Sequence, residues 1–220
     1  MTKEVELFIG VPCSGKSTHL QSNYQKDEVF VVSRDDIRDD IIKGTEYVYS
    51  DFFAIPHKGD ADNEKYGHIR KNGAWSKVET LNTILYEKFK KRVERAVYKV
   101  ESGTKVVIDL LNMTRKERDE VKSWFKEVDG VKFSAVVFDY ENNLETIKNQ
   151  IHKRGKLENK VIPFNIVEKI IEISDPVNFD EFSSIKYVDG LAQLKKENAL
   201  ILENAPKKPK RTNRVRRNFG

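Results

Sequence analysis

Short apolar runs alternate along the chain with stretches of helical periodicity. Five runs are rich in Val, Ile and Phe, which is typical of strands buried on both faces of a parallel sheet. They occupy residues 5–9, 29–32, 105–108, 132–138 and 185–188. Over residues 81–100, by contrast, apolar side chains recur at the spacing of one helical face. The alternation predicts an α/β fold in three layers, with a mostly parallel sheet between helices.

A loop with two glycines follows the first predicted strand and precedes a helix-compatible stretch. Its nine residues are Gly10, Val11, Pro12, Cys13, Ser14, Gly15, Lys16, Ser17 and Thr18, and they fit the phosphate-binding pattern G-x-x-x-x-G-K-[ST]. The glycines allow backbone N–H groups to converge on a phosphate, and the helix N-terminus adds partial positive charge. We expect Lys16 to reach the β- and γ-phosphates of ATP, and Ser17 to bind Mg²⁺. Cys13 is interpreted as a small loop residue, since this chemistry needs no thiolate.

A charged cluster stands at the carboxyl end of the second predicted strand, where open parallel sheets bind their ligands. It contains Arg34, Asp35, Asp36 and Arg38. Asp35 is placed to accept the proton of an attacking hydroxyl group. Acidic residues also favour the first turn of a helix, so the alternative is a helix start, and one carboxylate can cap while its neighbour works. Arg34 and Arg38 are one turn apart and can both face an acceptor.

Asp109 closes the third predicted strand, and a T-x-x-E capping box at Thr114 and Glu117 opens the helix that follows. A strand-end carboxylate beside a phosphate-binding loop can hold Mg²⁺ or its waters, or contact the acceptor. An ordinary aspartate at the start of a loop is the alternative.

Two later helices, predicted over residues 143–153 and 163–174, flank a basic and polar segment that begins at Lys153. A basic hinge between helices is typical of a lid that closes over a transferring phosphate, which predicts a lid at about residues 153–162. Arg154 is the candidate for offsetting the charge of the transition state. A solvated helix end is the alternative.

Residues 43–77 mix aromatic and basic side chains without a clear period. Such side chains could stack bases and hold the phosphates of a nucleic acid. An irregular segment packed on the sheet accounts for the same composition, and the sequence leaves both open.

Charge is concentrated at one end of the chain. The net charge is +5, but residues 207–217 hold seven basic side chains and no acidic one, which leaves 33 basic against 35 acidic residues elsewhere. We expect a folded domain over residues 1–203 and a disordered basic tail over residues 204–220. The tail either contacts nucleic acid or aids solubility.

The remaining composition narrows the class of protein. A single cysteine excludes an internal disulfide framework and fits a reducing cytosol. No run approaches the roughly 20 apolar residues of a membrane span, and the first residues lack the apolar core of a signal peptide. The expectation is a cytoplasmic protein without a membrane partner, in the host cytoplasm if a phage encodes it.

Together these motifs resemble the P-loop 5′-kinase domains of bacteriophage polynucleotide kinases and the related small kinases, which include phage DNA-modifying kinases. The matching features are residues 10–18, the cluster from Arg34 to Arg38, the Asn112 turn with Arg115 and Arg118 after it, and the run Lys153, Arg154, Gly155. The resemblance implies a P-loop NTPase fold with ATP and Mg²⁺. It further implies that Asp35 is the general base, that Arg38 contacts the acceptor, and that Arg154 contacts the ATP phosphates.

The sequence departs from this family at three points. Leu111 stands where the family commonly has Thr before the Asn of the third strand-end turn, which weakens the assignment of Asp109 to the acceptor. Gln150 stands where the phage enzymes have a second lid arginine. No Asp-x-Asp-Gly-Thr motif occurs, so 3′-phosphatase activity is not expected.

The sequence therefore predicts a kinase that moves the γ-phosphate of ATP to a hydroxyl group of nucleic acid, most simply a 5′-OH end of DNA or RNA. A close alternative is the phosphorylation of 5-hydroxymethyluracil bases in DNA, and a small-nucleotide kinase comes third. From a different class, the chain could be a nucleic-acid-binding ATPase that uses the nucleotide as a switch. Such a switch would hydrolyse ATP alone, whereas a kinase should release little phosphate without an acceptor.

Overall fold

The computed structural model describes residues 2–25, 27–45, 47, 49–52, 74–157, 160, 162, 164–192 and 195. The chain divides into two units, Met1–Gly190 and Leu191–Gly220, and the fold and site lie in the first. In the second unit, the amide of Lys195 donates to the carbonyl of Leu191 at 2.9 Å, which forms one helical turn. The predicted basic tail and most of the aromatic and basic stretch at 43–77 lie outside the described residues.

Five strands form one sheet, and they are the five that the apolar runs predict. The strands are β1 (Glu4–Ile9), β2 (Val29–Ser33), β3 (Lys105–Asp109), β4 (Lys132–Phe138) and β5 (Ser184–Val188). Their order across the sheet is β2-β3-β1-β4-β5, and every neighbouring pair is parallel. The predicted α/β class is confirmed.

Helices connect the strands and flank the sheet. They are α1 (Lys16–Asn23), α2 (Arg34–Ile42), α3 (Ala74–Glu101), α4 (Arg115–Ser123), α5 (Leu144–Leu157) and α6 (Phe164–Glu172), with 3₁₀ turns at Tyr49–Phe52, Glu141–Asn143 and Phe179–Glu181. The predicted capping box is confirmed at the start of α4, where Thr114 and Glu117 each accept the other's backbone N–H. Among the helices described, none has the length and apolar character needed to cross a membrane.

The centre of the sheet is buried on both faces. Val5, Leu7 and Phe8 of β1 have no exposed surface. Phe8 packs with Phe138 of β4, and Leu20 and Tyr24 lie against the same cluster. Burial on both faces explains why Leu7, Phe8 and Ile9 of β1 are consecutive apolar residues, although the strand also contains the buried Glu6.

The predicted break between helices at Lys153 is wrong. Helix α5 continues through Arg154 and Gly155 and ends at Leu157. Basic side chains in a last turn interact favourably with the partial negative charge of a helix C-terminus, so the basic run extends the helix instead of ending it. Of the predicted lid at about 153–162, the first half is therefore helical, and only Lys160 and Ile162 are described beyond it.

The sheet order brings three functional strand ends side by side. Strand β3 lies between β2 and β1, with Asp109 paired to Ser33 on one side and to Phe8 on the other. The residues that follow Ser33 and the loop that follows β1 therefore meet around Asp109. The carboxyl edge of a parallel sheet is where ligands bind in such folds.

Candidate active site

The phosphate-binding loop (residues 10–18) is shaped by backbone conformations that suit glycine. Gly15 has a φ of 94°, and a Cβ atom there would lie 2.2 Å from the carbonyl oxygen of Gly190. Gly190 is as restricted, because its own Cβ would lie 2.4 Å from the carbonyl oxygen of Ser14. Cys13 adopts a left-handed φ of 62°. The turn after β5 thus packs closely against Ser14 and Gly15 of the loop, a contact that the sequence did not reveal.

Lys16 folds back over this loop. Its Nζ donates to the carbonyl oxygens of Gly10 at 2.8 Å and Val11 at 2.9 Å. Burial lowers the pKa of Lys16, while the negative charges of Asp109 and Asp35 act in the opposite direction. The ammonium group therefore lies on the loop, within electrostatic reach of both carboxylates.

The start of α1 fits a phosphate group. The helix begins at Lys16, directly after the left-handed Gly15, so its first N–H groups point into the loop without intrahelical partners. Ser17 and Thr18 are exposed there. The hydroxyl of Ser14 is buried and, within the part of the chain that is described, has no hydrogen-bond partner. These donors and the Ser17 hydroxyl suit a nucleotide triphosphate with Mg²⁺.

Asp35 lies in the first turn of α2 but does not cap it. The cap is Ser33, whose hydroxyl accepts the N–H of Asp36 at 3.3 Å. One oxygen of Asp35, Oδ1, instead accepts hydrogen bonds from Arg38 Nη1 and from the hydroxyl of Tyr49, both at 2.7 Å. Burial would raise the pKa of Asp35, but these two partners outweigh it and hold the pKa below its usual value. The carboxylate is therefore ionised and oriented, as a proton acceptor must be.

The two arginines of the cluster have different surroundings. Arg38 pairs with Asp35 and lies with its guanidinium 5.8 Å from the centre of the Tyr49 ring. Arg34 lies over the ring of Phe89 in α3, at 4.6 Å from its centre. Burial and, after it, repulsion from Arg38 lower the pKa of Arg34. Both are positive groups beside the carboxyl end of β2, with Arg38 the one that contacts Asp35.

Asp109 is half-buried at the end of β3. Burial raises its pKa, Lys16 opposes this, and the neighbouring charges of Asp35 and Asp36 add to the rise. These influences place Asp109 within electrostatic reach of Lys16 and Asp35. Its carboxylate therefore belongs to the same polar centre as the phosphate-binding loop.

Arg154 is brought to the loop from the last turn of α5. Its Nη1 lies 3.6 Å from the sulfur of Cys13. Its charge contributes to lowering the pKa of Asp35 and of Lys16, after the larger causes already given. The structure thus gathers Lys16, Asp35 and Arg154, three groups from different helices that the sequence named as candidates.

Arg118 is not part of this polar centre. Its side chain has no exposed surface, and it binds Glu181 through two hydrogen bonds of 2.7 and 2.9 Å. It also donates to the carbonyl oxygens of Asn112, Met113, Asp175 and Pro176. Arg118 therefore holds the turn after β3 in place. A basic residue on the apolar stripe of α4 was the available signal, but its acidic partner is 63 residues away.

The turn after β3 is fixed to the loop by Asn112. This residue has a left-handed φ of 52°, is 2% exposed, and donates from Nδ2 to the carbonyl of Phe8 at 2.8 Å. Next to it, the carbonyl of Leu111 accepts the N–H of Gly10 at 3.1 Å. The asparagine that the sequence singled out is thus a link between β1, β3 and the phosphate-binding loop.

Tyr49 and Lys160 are contacts of the site that sequence reasoning missed. Tyr49 lies in a stretch without periodicity, and its bond to Asp35 joins residues 14 positions apart. Lys160 forms an ion pair with Asp39 of α2 at 2.7 Å. The mixture of aromatic and basic residues in 43–77 was the available signal, and it could not say which tyrosine reaches the carboxylate.

Comparison with known proteins agrees with this architecture. Residues 5–172, which make up more than half of the chain, match the family described as AAA domain. No curated protein matches the chain.

Two solved structures match over most of their length. A fungal RNA kinase has a TM-score of 0.50 and 15% identity, with 95% of this chain and 91% of that chain covered. A Chloroflexus aurantiacus protein that carries a provisional kinase name has a TM-score of 0.51 and 10% identity, with 90% and 98% covered. At these identities the likeness concerns the fold.

Proposed function

Since this chain belongs to the AAA domain family, we propose that it is an ATP-dependent kinase that transfers a γ-phosphate to a hydroxyl group of nucleic acid, most simply a 5′-OH end. One observation carries the proposal. The ionised carboxylate of Asp35 accepts hydrogen bonds from two donors, Arg38 and Tyr49. It follows β2, and β3, which ends at Asp109, lies between β2 and β1, the strand that precedes the phosphate-binding loop. A carboxylate in this place can take the proton of an acceptor hydroxyl, which phosphoryl transfer to an alcohol requires.

Donor binding falls to the loop and α1. The N–H groups at the start of α1 and the ammonium of Lys16 hold the β- and γ-phosphates, and the Ser17 hydroxyl holds Mg²⁺. When bound, Mg²⁺ neutralises charge on these phosphates. Lys16 already points along the loop through its bonds to Gly10 and Val11, so it exchanges carbonyl oxygens for phosphate oxygens.

Proton transfer falls to Asp35. The acceptor hydroxyl forms the new O–P bond, its proton moves to Asp35, and the bond between the γ-phosphorus and the β,γ-bridging oxygen breaks to release ADP. Arg38 and Tyr49 hold one carboxylate oxygen, which leaves the other for the proton. Arg38 and Arg34 offer positive charge to an acceptor phosphate or sugar, and Asp109 is a further candidate for acceptor contact.

Arg154 supplies charge on the donor side. Its guanidinium is at the loop beside Cys13, where it can stabilise negative charge on the transferring group. Because it comes from the end of α5, its placement depends on the position of that helix end relative to the loop.

The acceptor class is supported by features outside the catalytic centre. The seven basic side chains of residues 207–217 suit a polyanion. The fungal protein with the same fold is an RNA kinase. The resemblance to small phage kinases also includes enzymes that modify DNA bases, so a base hydroxyl in DNA is the second candidate acceptor.

The deciding experiment offers labelled ATP with a set of acceptors. Transfer to 5′-OH oligonucleotides is the expected result, with DNA and RNA compared. Transfer only to hydroxymethyluracil DNA would move the acceptor to the base, and transfer only to nucleosides would indicate a small-molecule kinase. Release of phosphate from ATP alone, without transfer to any hydroxyl, would overturn the proposal in favour of an ATPase switch.

A further inference from the structure

Tyr49 occupies a specific position beside Asp35. It belongs to the 3₁₀ turn Tyr49–Phe52 and is only 4% exposed. Its hydroxyl donates to Asp35 Oδ1 at 2.7 Å, the same oxygen that accepts Arg38 Nη1. With both donors on Oδ1, the second oxygen accepts no hydrogen bond from the described residues. The carboxylate is thereby fixed in rotation, with one oxygen directed away from its two partners.

Lys160 covers the ring of the same tyrosine. Its ammonium lies 5.1 Å from the centre of the Tyr49 ring and forms an ion pair with Asp39 Oδ2 at 2.7 Å. The Lys160 side chain is 16% exposed, so this pair is partly shielded from solvent. An ammonium over an aromatic face is attracted by the ring and also restricts its movement. Lys160 therefore ties Tyr49 to α2, the helix that carries Asp35.

Lys160 follows the helix end that presents Arg154. Its backbone N–H lies 3.4 Å from the carbonyl oxygen of Arg154, to which it donates. A series of contacts thus runs from Arg154 through Lys160 to Tyr49 and on to Asp35. The residue beside the phosphate-binding loop and the proton acceptor are connected through the predicted lid.

We propose that Tyr49 is a positioning residue for Asp35, and that Lys160 holds Tyr49 in place. The inference rests on the proposed kinase function, since it assigns to Asp35 the role of proton acceptor. The same contacts connect Asp35, on the acceptor side of the site, to Arg154, on the ATP side. Arg38 holds Asp35 from within α2, whereas the second donor, Tyr49, is held by Lys160, which follows the end of α5.

The charges around Asp35 determine how its pKa would change if the Tyr49 hydroxyl were removed. Arg38 of α2, Lys16 of α1 and Arg154 of α5 are positive, whereas Asp36 and Asp109 are negative. The Tyr49 hydrogen bond is, after burial, the foremost influence on the pKa of Asp35, and it lowers that pKa. Removing the hydroxyl therefore raises the pKa, so that the carboxylate takes up its proton at a higher pH.

The test compares Tyr49→Phe, Lys160→Met and the double variant in the transfer assay. Tyr49→Phe should lower kcat about tenfold, the loss expected for one hydrogen bond to a charged group, and leave KM for ATP unchanged. The acidic limb of its pH profile should move to higher pH. Lys160→Met should lower kcat less and add little in the Tyr49→Phe background, because coupled residues are not additive.

Two matched variants serve as controls. Tyr98→Phe removes a hydroxyl from a tyrosine that is 66% exposed on α3, and Lys126→Met removes an exposed lysine paired with Glu127. Neither should change kcat or the pH profile. Thermal unfolding of each variant shows whether it is folded.

Different results would overturn this inference and the proposed function. An active wild-type enzyme whose Tyr49→Phe variant keeps its kcat and pH profile would overturn the role of Tyr49. Full additivity of the two substitutions would overturn the role of Lys160. If the wild-type chain transfers no phosphate to any hydroxyl, the proposed function is overturned and this inference falls with it.

Discussion

Arg118 and Glu181 form a two-bond ion pair with no exposed surface on either side chain. The pair joins helix α4 to the turn that precedes the last strand. Arg118 also holds the carbonyl of Asn112, the residue that links the turn after β3 to β1. The turn that contacts β1 and the phosphate-binding loop is therefore held by a buried charge pair.

Glu181→Gln should destabilise the fold strongly. Removing one charge of a buried pair leaves the other uncompensated, which typically costs about 3–5 kcal/mol. Asp180→Asn is the matched control, since that carboxylate is 68% exposed and its ion pair with Arg115 should contribute under about 1 kcal/mol. Chemical unfolding of both variants measures the difference. Equal stabilities would show that the pair contributes nothing.

The same pair makes stability depend on pH. Burial would raise the pKa of Glu181, but Arg118 and the N–H of Asn178 outweigh it and lower the pKa. A carboxyl group with a lowered folded-state pKa contributes stability above its unfolded pKa of about 4.3 and loses it as the pH falls through the folded value. The melting temperature of the wild type should therefore fall more steeply below about pH 4 than that of Glu181→Gln.

The strands and the loop could be predicted because each is encoded by a short run of consecutive residues. Burial on both faces makes β1 rich in apolar residues, and the loop from Gly10 to Thr18 carries its chemistry in nine consecutive residues. The sequence predicted a parallel sheet but not its strand order, and it is the order β2-β3-β1 that brings Asp109 and the helix carrying Asp35 to one edge beside the loop. The end of α5 was misplaced because basic residues suit a helix terminus as well as a hinge.

The residues that sequence reasoning missed depend on contacts between distant positions. Glu181 meets Arg118 across 63 residues, and Gly190 supports the loop from the end of the last strand. Tyr49 lies in a stretch without a period, so its contact with Asp35 follows from the tertiary fold alone. Patterns within one element cannot encode such pairings.

Lys16→Ala should abolish phosphoryl transfer in a folded protein. The lysine supplies a point charge to the leaving phosphates, and no other residue of the loop carries a positive charge. Lys126→Ala, far from the loop in sequence and exposed, is the control. Transfer rates and thermal unfolding are measured together. Near-normal turnover in a folded Lys16→Ala protein would contradict the assignment of the phosphate-binding loop.

Asp35→Asn separates proton transfer from binding. The amide keeps the shape of the side chain and can still accept from Tyr49, but it cannot take the acceptor's proton. Loss of a general base typically lowers kcat about 10²–10⁴-fold, whereas the affinity for ATP should change little. Asp40→Asn, an exposed change on the same helix, is the control. Lost ATP binding with preserved chemistry would make Asp35 a metal-binding or structural residue.

The basic tail gives a prediction about the length of the acceptor. Deleting residues 207–220 should weaken binding of long oligonucleotides and spare short acceptors that fill only the site, because Lys16, Asp35 and Arg154 lie outside the deletion. Each phosphate contact releases counterions and contributes roughly −0.7 to the slope of log K against log salt on single strands. If about three or four of the seven basic side chains engage at once, deletion should lower the magnitude of the slope by about 2–3.

The measurement compares KM for a long and a short acceptor at several salt concentrations, with and without the tail. Replacing the seven basic residues by Gln in the full-length chain is the matched control, since it keeps the length and removes the charge. It should reproduce the deletion if the effect is electrostatic. An unchanged slope for the long acceptor would reduce the tail to a solubility feature. The rest of the chain, with 33 basic and 35 acidic residues, would then have to bind nucleic acid through a local patch, and Arg34 and Arg38 are the first residues to test.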